Sequence, residues 1–178
     1  NRTYLETYSE KAKNISGYNV VGEDTQEFVL KEENSEIVFY YTKKADLSYK
    51  VVYYKDNLNT EAIGEEVVNN QTFESIINKE DINVDLYKPR KGYNSGVIAT
   101  DMPYTIIDGE NVINVIYTKK DNLTYRVEYY YDGNIDSSKT EYFENLTYGD
   151  VITNYKEKLP ADYKFVNDTA PLTIDDTE

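Results

Sequence analysis

Carboxylates are the only side chains in this sequence suited to general acid–base work. The 178 residues include no Cys and no His. That removes thiol nucleophiles, Ser-His-Asp and Cys-His machinery and ordinary zinc sites, all of which need those side chains. It also removes disulfides, so the fold must be held by packing. Three adjacent carboxylate pairs occur, Glu32-Glu33, Glu65-Glu66 and Asp175-Asp176. A glycosidase-type reaction needs two carboxyls flanking one cleft. Neighbours in a strand point to opposite faces, so adjacency does not make a dyad. The pairs read as solvated surface. An acidic hydrolase would need a deep pocket with clustered carboxylates, which nothing in the sequence predicts. No catalytic, cofactor-binding or metal-ligating residue is assigned.

Three other features carry chemistry. Asp132-Gly-Asn-Ile-Asp136 resembles the start of a calcium loop, but position twelve is Phe143 where an EF-hand needs Glu. A hairpin turn is the better reading. Asn-x-Ser/Thr triplets begin at Asn1, Asn14, Asn70, Asn122, Asn145 and Asn167, and in an Asn- and Thr-rich chain many arise by chance. Tyr40, Tyr54 and Tyr130 are expected to point outward. They are the candidate ligand contacts, as rings on which a sugar could stack. The competing reading is packing against flanking side chains, since exposed aromatics mark a contact surface only when they form a patch.

Composition narrows the partners. Nineteen Lys and Arg against 33 Asp and Glu leave a net charge of −14, and such a chain repels a phosphate backbone. Neither nucleic-acid binding nor membrane insertion is expected, and no apolar run approaches the roughly 20 residues of a spanning helix. A mean hydropathy of −0.72 leans towards disorder. Twenty Tyr at regular spacing oppose it. A Tyr ring has an apolar body and a polar tip, so it serves as core and as surface. The chain starts at Asn1 without a signal peptide and reads as a fragment of something longer.

The elements that would position these residues are set by a repeat. Tyr41-Thr-Lys-Lys-Ala-Asp-Leu-Ser-Tyr-Lys-Val-Val-Tyr-Tyr-Lys-Asp56 recurs as Tyr117-Thr-Lys-Lys-Asp-Asn-Leu-Thr-Tyr-Arg-Val-Glu-Tyr-Tyr-Tyr-Asp132, 76 residues on. Self-similarity at fixed spacing is the mark of a tandem array. Each copy is the end of one repeat, a short linker and the start of the next. Residues 1–44 are then the back part of a first repeat, 45–120 a complete second, and 121–178 a third without its closing strand.

In the first repeat, Thr3-Tyr-Leu-Glu6 has capping-box spacing and predicts a short helix over 4–12. Strands are expected at 17–21, 28–30 and 37–41. In the second, strands over 49–54 and 61–68 form a hairpin. A short helix over 73–78 carries Phe73, Ile76 and Ile77 inward. Gly92-Tyr93-Asn94 repeats Gly17-Tyr18-Asn19, and 111–117 is the closing strand. In the third, 125–131 is the first strand, with Val127 and Tyr129 inward. Asp132-Gly133 is the turn, 139–143 returns beside it, and Val151, Ile152, Tyr155 and Leu159 share a helical face. Pro171-Leu-Thr-Ile174 mirrors Pro103-Tyr-Thr-Ile106. Strand, strand, short helix, strand, strand is a β-grasp-like, β-rich α+β layout of two layers. The joints lack Gly and Pro and are short, which predicts tandem repeats in an extended, semi-rigid rod.

The pattern Leu-x-Tyr-x-Val-x-Tyr-Tyr, then Gly-Tyr-Asn, then Ile106-x-x-Gly-Glu-Asn-x-Ile-x-Val-x-Tyr-Thr118 resembles the mucin-binding-type repeats of Gram-positive cell-wall adhesins. The β-grasp repeats of internalin-like surface proteins are similar. In that family a Gly-Asp follows the hairpin; it survives here as Gly149-Asp150, and the second repeat reads Phe73-Glu74 in its place. The resemblance implies a secreted, extracellular, wall-displayed surface protein, non-catalytic, used as a stalk or spacer. It also implies weak contact with host mucin glycans or a host surface protein. Lys–Asn isopeptide links, known in some wall-anchored adhesins, would need a buried Lys, Asn and carboxylate together. The alternative is a purely structural filament unit assembling by strand pairing. The third repeat stops before a closing strand and the first brings one without its opening hairpin, and an unpaired edge invites a donated strand.

Overall fold

The computed structural model describes residues 2–32 and 35–176. Asn1 and Glu33, each named above, lie outside the described residues. Among the described residues, sixteen strands account for nearly all the regular structure. The first repeat holds β1 (Thr7–Lys11), β2 (Tyr18–Val20), β3 (Thr25–Val29) and β4 (Tyr41–Lys43). The second holds β5 (Leu47–Lys55), β6 (Ala62–Gln71), β7 (Ile76–Ile77), β8 (Val97–Ile98), β9 (Tyr104–Thr105) and β10 (Val112–Tyr117). The third holds β11 (Leu123–Val127), β12 (Tyr130–Tyr131), β13 (Asn134–Ile135), β14 (Glu141–Leu146), β15 (Val151–Ile152) and β16 (Leu172–Thr173).

The largest sheet has four strands in the order β6-β5-β10-β8, and the other strands pair two by two. β10 is antiparallel to β8. It runs parallel to β5, since the Lys50 amide donates to the Asn111 carbonyl and the Asp56 amide to that of Tyr117. Its Ile-x-Val-x-Tyr alternation accounts for its place. Ile113, Val115 and Tyr117 are all 0% exposed, because alternate residues of a strand face one side. In β5 the residues Val51, Val52 and Tyr53 are all buried. Val52, which breaks the alternation in sequence, thus lies on a face that is also covered.

The chain divides into two compact units. The first comprises residues 1–52, 65–82 and 99–114. Its core is Tyr49, Val51, Val52, Ile77, Ile82, Ile106 and Ile113. Asn111, 2% exposed, accounts for the Gly-Glu-Asn motif. Its side chain accepts from the Ile107 amide at 2.9 Å and donates to the carbonyls of Ser48, Ile107 and Gly109. A buried amide satisfied on every side fixes a turn, and here it delivers the chain into β10.

The second unit comprises residues 53–64, 83–98 and 115–178. Tyr53 and Tyr117 stack with ring centres 6.2 Å apart, and Tyr87 lies across Tyr53 at 5.0 Å. The Tyr53 hydroxyl donates to the Asn83 carbonyl, and the Tyr87 amide donates to the Tyr117 hydroxyl. Asp132 and Gly133, at φ 48° and 80°, make a two-residue turn between the paired residues Tyr131 and Asn134. Successive positive φ values match the twist of a tight hairpin. The hairpin reading of this loop is therefore the observed one.

The expected helices are absent among the described residues. Residues 7–11 form β1, paired antiparallel with β3, with Tyr8 opposite Phe28 and their rings 6.0 Å apart. An aromatic pair across strands outweighs a single short helical turn. Residues 73–78 do not wind either: Ile76 and Ile77 form β7 against β9. Of the three residues expected inward, Ile77 is buried, Phe73 half-buried and Ile76 58% exposed. The Thr147–Asp150 capping spacing does form a reciprocal turn, in which the Thr147 amide donates to the Asp150 carboxylate. It leads into strand β15, paired with β16. Further on, the carbonyls of Lys156 and Lys158 accept from the hydroxyls of Tyr129 and Tyr131, which diverts them from a helical ladder.

Two strand expectations also change. The first strand of the third repeat is broken at 128–129 into β11 and β12. Of the expected strand 37–41, only Tyr41 is in a regular strand, β4, which among the described residues pairs with β2 in a two-stranded sheet. The equivalent β10 has β5 and β8 on its two edges. Two neighbours, not local propensity, hold that strand straight.

Candidate functional site

The strongest constellation is a polar clasp built twice from repeated residues. In the first unit Gly17 takes φ 80°, open to glycine at no cost. Its amide donates to Asp108 Oδ2 at 2.7 Å, and Ser16 Oγ donates to the same oxygen at 3.0 Å. Lys44 Nζ donates to Asp108 Oδ1 at 2.7 Å. The Lys44 amide donates to the Gly17 carbonyl, and the Phe73 amide to the Lys44 carbonyl. The Phe73 ring lies over Gly17, where a Cβ would come within 2.4 Å of it. Tyr18 meets that ring edge-on at 5.6 Å.

The second unit repeats the arrangement. The Gly92 amide donates to Asp176 Oδ2 at 3.0 Å, and Lys120 Nζ pairs with the same oxygen at 2.8 Å. The Lys120 amide donates to the Gly92 carbonyl, and the Tyr148 amide to the Lys120 carbonyl. Tyr148 covers Gly92, and Tyr93 meets it edge-on at 6.1 Å. Each clasp joins the Gly-Tyr of one repeat and the linker Lys to the aromatic and the Asp of the next repeat.

The electrostatics agree with the geometry. The Lys44 ammonium and then the Gly17 amide hold the Asp108 carboxyl below its ordinary range. Lys120 and then Gly92 do the same for Asp176. A carboxyl depressed by folding stabilises the fold above its unfolded pKa, near 4. That contribution is lost as pH falls through the lowered folded value. Asp108→Asn and Asp176→Asn are each expected to lower the melting temperature by a few degrees at pH 7. The gap from the wild type should close below about pH 4. Calorimetric scans at the two pH values check this, and a gap that persists in acid would refute the ion pair as its source.

Sequence reasoning found Gly-Tyr-Asn, Tyr-Thr-Lys-Lys and Pro-x-Thr-Ile as separate repeats, but not that they converge. The missed residues are Asp108 and Asp176, each two positions after the repeated Ile. The alignment of Phe73-Glu74 with Gly149-Asp150 needs correcting by one residue. Glu74 donates its amide to Ile106 as Gly149 does to Ile174, with φ values of 64° and 87°. Glu74-Ser75 is therefore the true counterpart.

Of the carboxylate pairs, the two that lie wholly among the described residues, Glu65-Glu66 and Asp175-Asp176, do not form dyads. Asp175 is exposed and pairs with Lys91, while Asp176 is buried on Lys120. Glu65 and Glu66 differ in burial along β6. Among the described residues no three His, Cys, Asp or Glu gather as metal ligands. Lys44 and Lys120 each face an Asp carboxylate. The buried Asn111 is satisfied by Ser48 and its own loop. Five Asn-x-Ser/Thr acceptors, Asn14, Asn70, Asn122, Asn145 and Asn167, are exposed.

The three candidate tyrosines do not come together on one sheet: Tyr54 and Tyr130 lie on different sheets and Tyr40 lies outside any strand. Tyr40, 69% exposed, precedes β4 in the first unit. Tyr54 is half-buried on β5, and Tyr130, 60% exposed, is on β12 with its hydroxyl on Glu128. Compared with protein-family models, curated proteins and solved structures, the chain matches none.

Proposed function

We propose that this chain is a non-catalytic segment of tandem β-grasp-like repeats from a Gram-positive cell-surface adhesin, serving as an extended stalk or spacer. The twice-built clasp supports this reading most directly. A joint that recurs with the same Gly amide, Lys and Asp is what a periodic array needs. Short linkers fixed at both ends by hydrogen bonds also bend less than free ones. The aromatic and turn pattern shared with mucin-binding-type repeats supports the placement outside the cell, on the wall. Weak contact with host mucin glycans or a host surface protein belongs to the same reading, through exposed rings such as Tyr40 and Tyr130.

Small-angle X-ray scattering tests the stalk. An elongated profile is expected, and Lys44→Ala with Lys120→Ala should broaden its distance distribution. A compact profile with the termini close together would overturn the proposal. A glycan array tests the second part, where silence of the chain would remove glycan binding and leave the spacer.

A further inference from the structure

We propose that the second repeat is built to bear tension along the chain, through its parallel strand pair β5 and β10. This rests on the reading of the chain as a stalk, and adds that the stalk resists being pulled open. The second repeat has β4 before it and β11 after it. A pull along the chain therefore enters at the start of β5, Leu47, and leaves at the end of β10, Tyr117. What the pull does depends on strand direction. In a parallel pair, the start of one strand and the end of the other lie at opposite ends of the ladder. The pull then runs along the strands and shears the evenly spaced bonds together. In an antiparallel pair the two points share one end, and the bonds open one after another.

Register and burial suit the pair to this task. The Lys50 amide donates to the Asn111 carbonyl at 3.0 Å, and the Asp56 amide to the Tyr117 carbonyl at 2.8 Å. Both bonds have the same residue offset, so the ladder keeps its register between them. β6 borders β5 and β8 borders β10, which puts the pair in the middle of the four-stranded sheet. Tyr49, Val51 and Tyr53 of β5 are buried, as are Ile113, Val115 and Tyr117 of β10. Val52 is buried too, so the other face of β5 is also covered. Water has little access to a bond strained there. A bond that water cannot replace costs more to break.

The clasps hold the points where the pull enters and leaves. Lys44 lies just ahead of β5. Its amide donates to the Gly17 carbonyl, its carbonyl accepts from the Phe73 amide, and its ammonium sits on Asp108. Lys120 lies just beyond β10 and makes the same backbone bonds with Gly92 and Tyr148, with its ammonium on Asp176. A linker pinned so close to a strand leaves it little freedom to swing and be peeled from the side.

Single-molecule force spectroscopy on the whole chain tests this. The sequence has no Cys, so two introduced cysteines are the only thiol attachment points. Asp46, Glu110 and Lys119 are exposed. Handles at Asp46→Cys and Lys119→Cys load the pair in shear. Handles at Asp46→Cys and Glu110→Cys pull on the starts of both strands and peel them apart. At one loading rate the shear variant should rupture at a several-fold higher force. Equilibrium stability has no direction and would not produce that gap, since forced unfolding follows the unfolding rate. Equal rupture forces in the two directions would overturn the proposal. The unaltered chain held at its two ends gives a second reading that needs no cysteine. One step should lengthen it by about 200 Å, the extended reach of residues 47–117 beyond their folded length, at the force of the shear variant. That step at the peeling force would also overturn the proposal. A compact scattering profile would remove the stalk and leave the directional difference in force standing, so the two failures are told apart.

Discussion

Tyr117→Ala is expected to cost about 3–5 kcal/mol of unfolding free energy, the range for deleting a buried aromatic side chain. Tyr117 is 0% exposed and stacks on Tyr53, which is itself 0% exposed. Its hydroxyl accepts from the Tyr87 amide. Truncation would open a cavity beside the Tyr53 ring and remove that acceptor from the Tyr87 amide. Tyr117→Phe keeps the ring and loses only the acceptor, so about 1 kcal/mol is expected. The repeat supplies an internal control. Tyr41 occupies the same repeat position but is half-buried, with its hydroxyl on the Lys13 carbonyl. Tyr41→Ala should cost less than half as much, because both the transfer and the cavity contributions scale with burial. Urea titrations of the three variants check the order. Equal losses at Tyr41 and Tyr117 would show that repeat position, not burial, sets the cost.

Gly92→Ala is expected to destabilise by about 3 kcal/mol, combining a left-handed backbone penalty of about 1–2 kcal/mol with overpacking of about 1–3 kcal/mol. Gly92 has φ 74°, and a Cβ there would come within 2.2 Å of the Tyr148 ring. Gly133 separates the two effects. It has φ 80° with nothing within 4 Å of the added carbon, so Gly133→Ala should show the backbone penalty alone. The steric part should also be recoverable. Tyr148→Ala removes the ring, and the double variant should be more stable than the sum of the two single losses implies. Strict additivity in that cycle, read from urea midpoints, would show that the ring is not what excludes the methyl group.

Much of the strand content was legible because it is local. β5, β6 and β10 lie where β-branched and aromatic residues cluster, and Asp132-Gly133 turns where successive positive φ values are cheapest. The helix expectations failed for a common reason. At 4–12, 73–78 and 151–159 the spacing suits a helix, but each segment finds a better partner far away in sequence. Tyr8 meets Phe28, β7 meets β9, and β15 meets β16. A window of ten residues holds no information about those partners. The clasp was half legible for the same reason. Its Gly, Tyr and Lys sit in obvious repeats, while Asp108 and Asp176 are plain acidic residues until the chain brings each beside a lysine and a glycine amide.

By itself the sequence determined the periodicity, the absence of thiol and imidazole chemistry, the acidic surface and the positions of the main strands. Each of these depends on residue type and on spacing shorter than one repeat. Only the tertiary structure decided that the short amphipathic segments extend instead of winding, and that the ends of successive repeats meet through one Lys–Asp–Gly joint. Both depend on which distant segments share an edge or a ring, and a short segment becomes strand or helix according to the neighbour that completes its hydrogen bonds.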